Sequence, residues 1–206
     1  MKDSRALKTF CGELSTDAPS PGGGTAAAAS GAMAASLLVM VCGITAKNKK
    51  HAANKKKLEA LRHVLERKRD DLIALAREDA RAYDMVVRAI REARAERGRD
   101  SLPAVKKATM YAAKVPMRTA TLCIDVLKGA VKVSELGTRS ASSDVGVATL
   151  LAHTGYMGAA MNVRINLASL DTSAFARTVA RRLELYDDLS DELKKDALRA
   201  LRKRAK

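Results

Sequence analysis

Apolar positions at Leu58, Leu61, Leu65, Leu72, Leu75, Ala82, Val86 and Ile90 recur at intervals of three, four and seven residues. That is one face of a helix, and the pattern runs from about residue 52 to 97, ending near Gly98. At 1.5 Å per residue such a helix is roughly 65–70 Å long. A compact domain of this size is only about 40–45 Å across, so the helix is expected to bend, break or project against a partner subunit. Before it, residues 25–46 carry no charge, and Ala, Gly, Ser, Met, Leu and Val dominate. Abundant alanine predicts a helix, and an apolar surface all round predicts burial all round. Leu7, Phe10 and Leu14 give a short amphipathic helix over 2–14, and the basic run Lys47–Lys57 reads as a turn or helix start. Ser101 caps a further helix that carries Val105, Ala108, Tyr111 and Ala112, and Pro116 should kink or divide it. The turn-rich stretch 137–144 leads into a helix over about 144–169, and 171–205 form a last amphipathic helix with Phe175, Val179, Leu183 and Leu198.

The composition agrees with this pattern. Aromatic residues make up 3% of the 206 residues and Trp is absent, so the core is built from Ala, Leu, Val, Ile and Met. The expected fold is all-α, a single-domain bundle of long helices over 1–206. Cys11, Cys42 and Cys123 are scattered, which argues against a disulfide framework or a zinc site and fits a reducing cytoplasm. The N-terminus has no signal-peptide core. Residues 25–46 have the length of a membrane span but are weakly hydrophobic, and no other stretch matches them, so no membrane is expected. The formal net charge of +15 implies an anionic partner. Nucleic acid is disfavoured, because the basic residues lack interleaved aromatics and no known binding motif occurs.

Candidate chemistry enters at four places. Pro19, Pro21 and the triplet Gly22, Gly23, Gly24 break the chain just before Thr25 and the uncharged helix. They leave backbone N–H groups open at the positive end of the helix dipole, where an anion or polar ligand can sit. The alternative is a glycine-rich helix entry with no ligand. Asp79 falls on the apolar stripe between Leu75 and Ala82, where a carboxylate needs a partner or a shifted pKa. It is either half of an ion pair with a neighbouring helix or a reacting group. Gly155, Gly158, Asn162, Asn166 and Ser169 share one small, polar face, which fits a pocket wall or a tight helix–helix contact. His51, His63 and His153 are dispersed, and each is read as a surface or packing residue.

In order and spacing, A-P-S-P-G-G-G-T-A-A-A-A (18–29), M-V-C-G-I-T (40–45), E-D-A-R-A-Y (78–83), A-A-K-V-P (112–116), S-D-V-G-V-A (143–148) and N-V-R-I-N-L (162–167) resemble the cyclodeaminase/cyclohydrolase family. That family contains methenyltetrahydrofolate cyclohydrolases and the cyclodeaminase domain of formiminotransferase-cyclodeaminase. The resemblance implies a helical homodimer acting on a tetrahydrofolate substrate, with no metal or further cofactor. It implies Asp79 as the catalytic carboxylate. Folate contacts are expected from Pro21, Gly22, Gly23, Gly24, Thr25, Pro116, Ser143, Asp144, Asn162 and Asn166. Lys47, Lys49 and Lys50 are expected to receive the anionic glutamate tail. Between the family's two reactions, a chain with no formiminotransferase domain attached looks more like the cyclohydrolase. One departure is Gly137-Thr138, where the family has Gly-Asn; it keeps open an altered reaction, or a non-catalytic interaction protein.

Overall fold

The structure, a computed structural model, describes residues 4–95, 102–170 and 173–205. Among them there is no strand. The α-helices are α1 (Arg5–Leu14), α2 (Gly23–Lys47), α3 (Lys55–Ala95), α4 (Leu102–Leu136), α5 (Ser142–Ala168) and α6 (Ala174–Ala205), with short 3-10 turns at Lys49–Asn54 and Arg139–Ala141. Ser101 and Gly98, expected at helix ends, lie outside the described residues.

From α2 to α6 the helices alternate in direction. α4 packs against α2, α3, α5 and α6 and forms the hub of the bundle. Leu38 of α2, Leu58, Leu65 and Leu72 of α3, Ile124 and Leu127 of α4, and Tyr156 of α5 make one continuous core. Where alanine and glycine meet, backbones come close. A Cβ on Gly155 would lie 2.8 Å from the Ala27 carbonyl oxygen and 3.0 Å from the Gly31 nitrogen, so this α2–α5 crossing requires glycine. Ser30 Oγ donates to the Leu151 carbonyl across the same seam at 2.8 Å.

Two expectations, on α2 and on Pro116, need correction, and two are narrowed. First, α2 is not buried all round: Met33, Met40 and Ile44 are exposed along one side. It is the one helix among the described residues long and apolar enough to cross a membrane, and 61% of its most apolar stretch is buried inside the bundle. Second, α3 is one unbroken helix, and of the courses expected for it projection is the one taken. Its 41 residues span about 60 Å, and beyond Ala82 none of its side chains is fully buried, so its last part projects from the body. Third, Pro116 does not divide α4, which runs unbroken through it. Proline has no N–H for the carbonyl four residues back, that of Ala112. Asn166 Nδ2 donates to this oxygen instead at 2.9 Å, so a side chain from α5 replaces the missing backbone bond. Fourth, α1 forms as expected but buries none of its residues.

Candidate active site

The alternation of the helices gathers four segments at one end of the bundle: the start of α2, the latter part of α3, the early part of α4 and the end of α5. They enclose a cleft of about 320 Å³ walled by Pro19, the glycine triplet, Asp79, Tyr83, Asn162 and Asn166, with Ala82, Val86, Ala112 and Ile165 supplying apolar surface.

Asp79 is half-buried at the first turn of α2. Thr25 Oγ1 donates to its Oδ2 at 3.2 Å and to the Ala76 carbonyl at 3.3 Å, and the Thr25 backbone N–H also donates to the carboxyl group. No cation pairs with Asp79 among the described residues. Burial pushes its pKa above the ordinary aspartate value, and the two Thr25 bonds pull partly against that rise. The positive end of α2 also favours the carboxylate. Gly24 explains how the carboxylate fits. A Cβ there would lie 2.3 Å from Asp79 Oδ1 and 2.5 Å from Oδ2, so any side chain would occupy the space the carboxylate fills.

The neighbouring Glu78 behaves differently. It accepts from Arg118 Nη1 at 2.8 Å and from the Tyr111 hydroxyl at 2.9 Å. Of two adjacent carboxylates, one is neutralised by a cation and the other is left facing a cleft.

The amides form the opposite wall. Asn162 Nδ2 donates to the Gly158 carbonyl at 2.9 Å, and Asn166 Nδ2 to that of Ala112. Both Nδ2 groups are thereby fixed, and each residue keeps an amide oxygen as an acceptor. The polar face of α5 therefore divides: Gly155 and Gly158 pack tightly on α2, with Ala27 3.0 Å from a Cβ built at Gly158, while Asn162 and Asn166 border the cleft.

The structure brings together Gly22, Gly23, Gly24, Thr25, Asp79, Asn162 and Asn166, with Pro21 in the segment leading into the triplet. Pro116 is buried one turn beyond Ala112 and acts on the cleft through that carbonyl. Ser143 and Asp144 stand at the other end of α5, about 27–28 Å along the helix from Asn162. Lys47 ends α2, about 36 Å along its axis from Gly23, and Lys49 and Lys50 follow it in the 3-10 turn. Within one subunit these five residues do not reach the cleft. Thr138 is also remote, its N–H donating to buried Thr45 Oγ1 at 2.9 Å. Sequence reasoning missed Tyr83 as a cleft residue, although it lies one helical turn after Asp79 on the same side of α3.

The profile of the family described as formiminotransferase-cyclodeaminase matches residues 6–185. The chain belongs to this family. It is 36% identical over 190 residues to a methenyltetrahydrofolate cyclohydrolase from Methylorubrum extorquens, covering 89% of each chain. It is 28% identical to the formimidoyltransferase-cyclodeaminase of Sus scrofa, of which it spans 34%. In three dimensions it superposes on a formiminotetrahydrofolate cyclodeaminase from Thermotoga maritima with a TM-score of 0.88 and 27% identity, over 97% of each chain.

Proposed function

We propose that this enzyme hydrolyses 5,10-methenyltetrahydrofolate to 10-formyltetrahydrofolate, with Asp79 as the reacting carboxylate. The observation that carries this reading is an Asp79 with no cation paired to it among the described residues, held in a cleft by Thr25 and by the space at Gly24. The likeness to a cyclohydrolase over nearly the whole of both chains supports it.

The methenyl carbon bridges two folate nitrogens and shares their positive charge. A half-buried carboxylate balances that cation where water would otherwise have to. Water adds to the carbon, the C=N electron pair moves onto nitrogen, and Asp79 takes the proton the water releases. The adduct then collapses: the bond from carbon to N5 breaks, a carbonyl forms on N10, and Asp79 returns its proton to N5. The second water proton leaves to solvent, which balances the loss of the substrate's charge. The carbon is already electrophilic, so the proposal calls on no metal or further cofactor. A pterin ring offers N–H donors along one edge, and the amide oxygens of Asn162 and Asn166 in the cleft wall would accept them.

A second reading has support from the Thermotoga maritima neighbour. In the cyclodeaminase reaction a folate nitrogen attacks a formimino carbon and ammonia leaves, with the same carboxyl group moving protons between the two nitrogens. Decay of methenyltetrahydrofolate above its spontaneous rate, set beside ammonia release from 5-formiminotetrahydrofolate, tests both. Faster release of ammonia than of formyl product would reverse the order of the two readings.

The proposal includes a homodimer. α2 and α5 lie side by side and leave Met33, Met40 and Ile44 exposed with Val147, Leu150, Met157, Met161 and Ile165. An apolar surface of this kind is what a second copy would cover. Ile165 also lines the cleft, so the interface would border the site.

A further inference from the structure

The cleft does not end at Tyr83. Pro19 and Tyr83 also wall a second depression of about 320 Å³, whose other sides are Asp84, Val87, Arg88 and Arg91. Val87 and Arg91 then border a third, completed by Ile90 and Arg94. Together they make a track along the projecting part of α3 that starts at Asp79. Neither Arg88 nor Arg91 has an ion-pair partner among the described residues. Asp84 is the one carboxylate in the wall of the second depression, where it faces two guanidinium groups.

We propose that this track receives the glutamate tail of the folate, with Arg88 holding the first glutamate and Arg91 the units after it. The inference rests on the proposed folate chemistry at Asp79, and it moves the tail site from Lys47, Lys49 and Lys50 to α3. Spacing supports the assignment. The benzoyl ring and amide of a folate set its first glutamate about two helical turns, ~11 Å, from the reacting carbon. Arg88 is nine residues beyond Asp79, about 13 Å along the axis and half a turn round the helix, and Arg91 is about 18 Å along it and a third of a turn round. Pro19 and Tyr83, which wall both the cleft and the second depression, lead from one side to the other. Tyr83 lies between, where the benzoyl ring would pass. The order along the cleft is then consistent: pterin against Asn162 and Asn166, reacting carbon at Asp79, ring at Tyr83, carboxylates at the arginines. A planar guanidinium matches a carboxylate with two parallel hydrogen bonds, which a lysine does not. An alternative role for these arginines is to complement the negative end of the α3 dipole, and it makes a different forecast.

The test measures kcat, KM and thermal unfolding for wild type, Arg88→Ala, Arg91→Ala and the triple Lys47→Ala/Lys49→Ala/Lys50→Ala variant. The substrates are monoglutamyl and pentaglutamyl methenyltetrahydrofolate. Wild type should show a lower KM for the pentaglutamate, and that advantage should shrink with salt. Arg88→Ala should raise KM for both substrates about 10-fold, the scale of one charge-assisted contact, with kcat little changed. Arg91→Ala should raise KM for the pentaglutamate alone, and the lysine variant should change neither. If the arginines serve only the dipole, unfolding temperature falls and KM does not move, and the proposal is wrong. It is equally wrong if the pentaglutamate preference survives in the Arg88→Ala/Arg91→Ala double variant. Absence of turnover by wild type would instead remove the proposed reaction. The track is then read directly from binding of p-aminobenzoyl-pentaglutamate, which carries the tail and no pterin, and which should bind wild type more tightly than the double variant.

Discussion

Asp79 and Glu78 are adjacent in the chain, and the fold gives a cation partner to Glu78 alone of the two. The helical stripe marks Asp79 as a carboxylate at an apolar position, which is why the sequence singles it out. Whether it has a cation partner depends on which helix lies opposite, and periodicity along one helix carries no such information. Arg118 and Tyr111 of α4 face Glu78, whereas the start of α2 faces Asp79. Replacing Asp79 by Asn keeps the volume and removes the proton acceptor, so turnover should fall by roughly 10²–10⁴-fold. Its pKa is raised in the folded state, so proton uptake favours folding and the ionised group costs stability at pH values above that raised pKa. Asp79→Asn should therefore unfold at the same temperature as wild type or a higher one at neutral pH. A destabilised, fully active variant would end the assignment. The same shift sets the pH profile: kcat/KM should fall on the acid side with a midpoint above the ordinary aspartate value. Thr25→Val removes a bond that favours the carboxylate, so it should move that midpoint to still higher pH. Gly24 gives a third check. No left-handed backbone is involved, since no glycine among the described residues has a positive φ, so Gly24→Ala leaves the helix free to form. Its Cβ displaces the carboxylate, and activity should drop at least about 10-fold, the usual consequence of misplacing a reacting group. Unchanged activity in Gly24→Ala would mean that the carboxylate does not react from this position.

At the scale of elements, the helices were legible because α3 and α6 have one apolar face and α2 and α5 are rich in alanine. Pro116 does not divide α4 for a reason that local sequence does not contain. The break expected there follows from a carbonyl with no donor, and the donor is supplied by Asn166, 54 positions from Ala112 in the chain. Asn166 thus serves two purposes: its Nδ2 closes the Ala112 gap, and the residue walls the cleft. This coupling is measurable. Asn166→Ala should cost about 1–3 kcal/mol of unfolding free energy, because a partly buried carbonyl loses its partner. In a Pro116→Ala background the backbone N–H at 116 can serve Ala112 itself, so the same Asn166→Ala change should cost clearly less. Equal costs in the two backgrounds, read from denaturant unfolding in a double-mutant cycle, would show that the amide and the proline act independently. The glycine triplet was also legible as a helix start with open N–H groups. In the fold Asp79 also stands at this helix start, where it accepts from the Thr25 N–H, and that was not visible without the packing of α2 on α3.

At the scale of the molecule, an apolar helix can be covered by its own chain or by another, and the pattern along it is the same in both cases. The expectation that α2 is buried all round therefore failed on one side only. Its inner faces meet α3, α4 and α5, while Met33, Met40 and Ile44 remain exposed beside the open apolar positions of α5. Met161 and Ile165 are 58% and 70% exposed in the single chain. Large apolar side chains that open, grouped on neighbouring helices, are the surface a second subunit would remove from water. The proposed dimer then makes a sharp forecast. Met161→Glu places a charge within that surface at a position 58% exposed in the single chain, so the subunit should keep its helicity. Two copies would bury two like charges together without partners, and association should weaken by about 100-fold or more. Sedimentation at micromolar concentration should find wild type as a dimer and Met161→Glu shifted towards monomer. Ile165 joins the exposed surface to the wall of the cleft, so turnover per subunit should fall along with dimerisation. A Met161→Glu protein that still sediments as a dimer would place the interface elsewhere, and a wild-type monomer would remove the dimer from the proposal altogether.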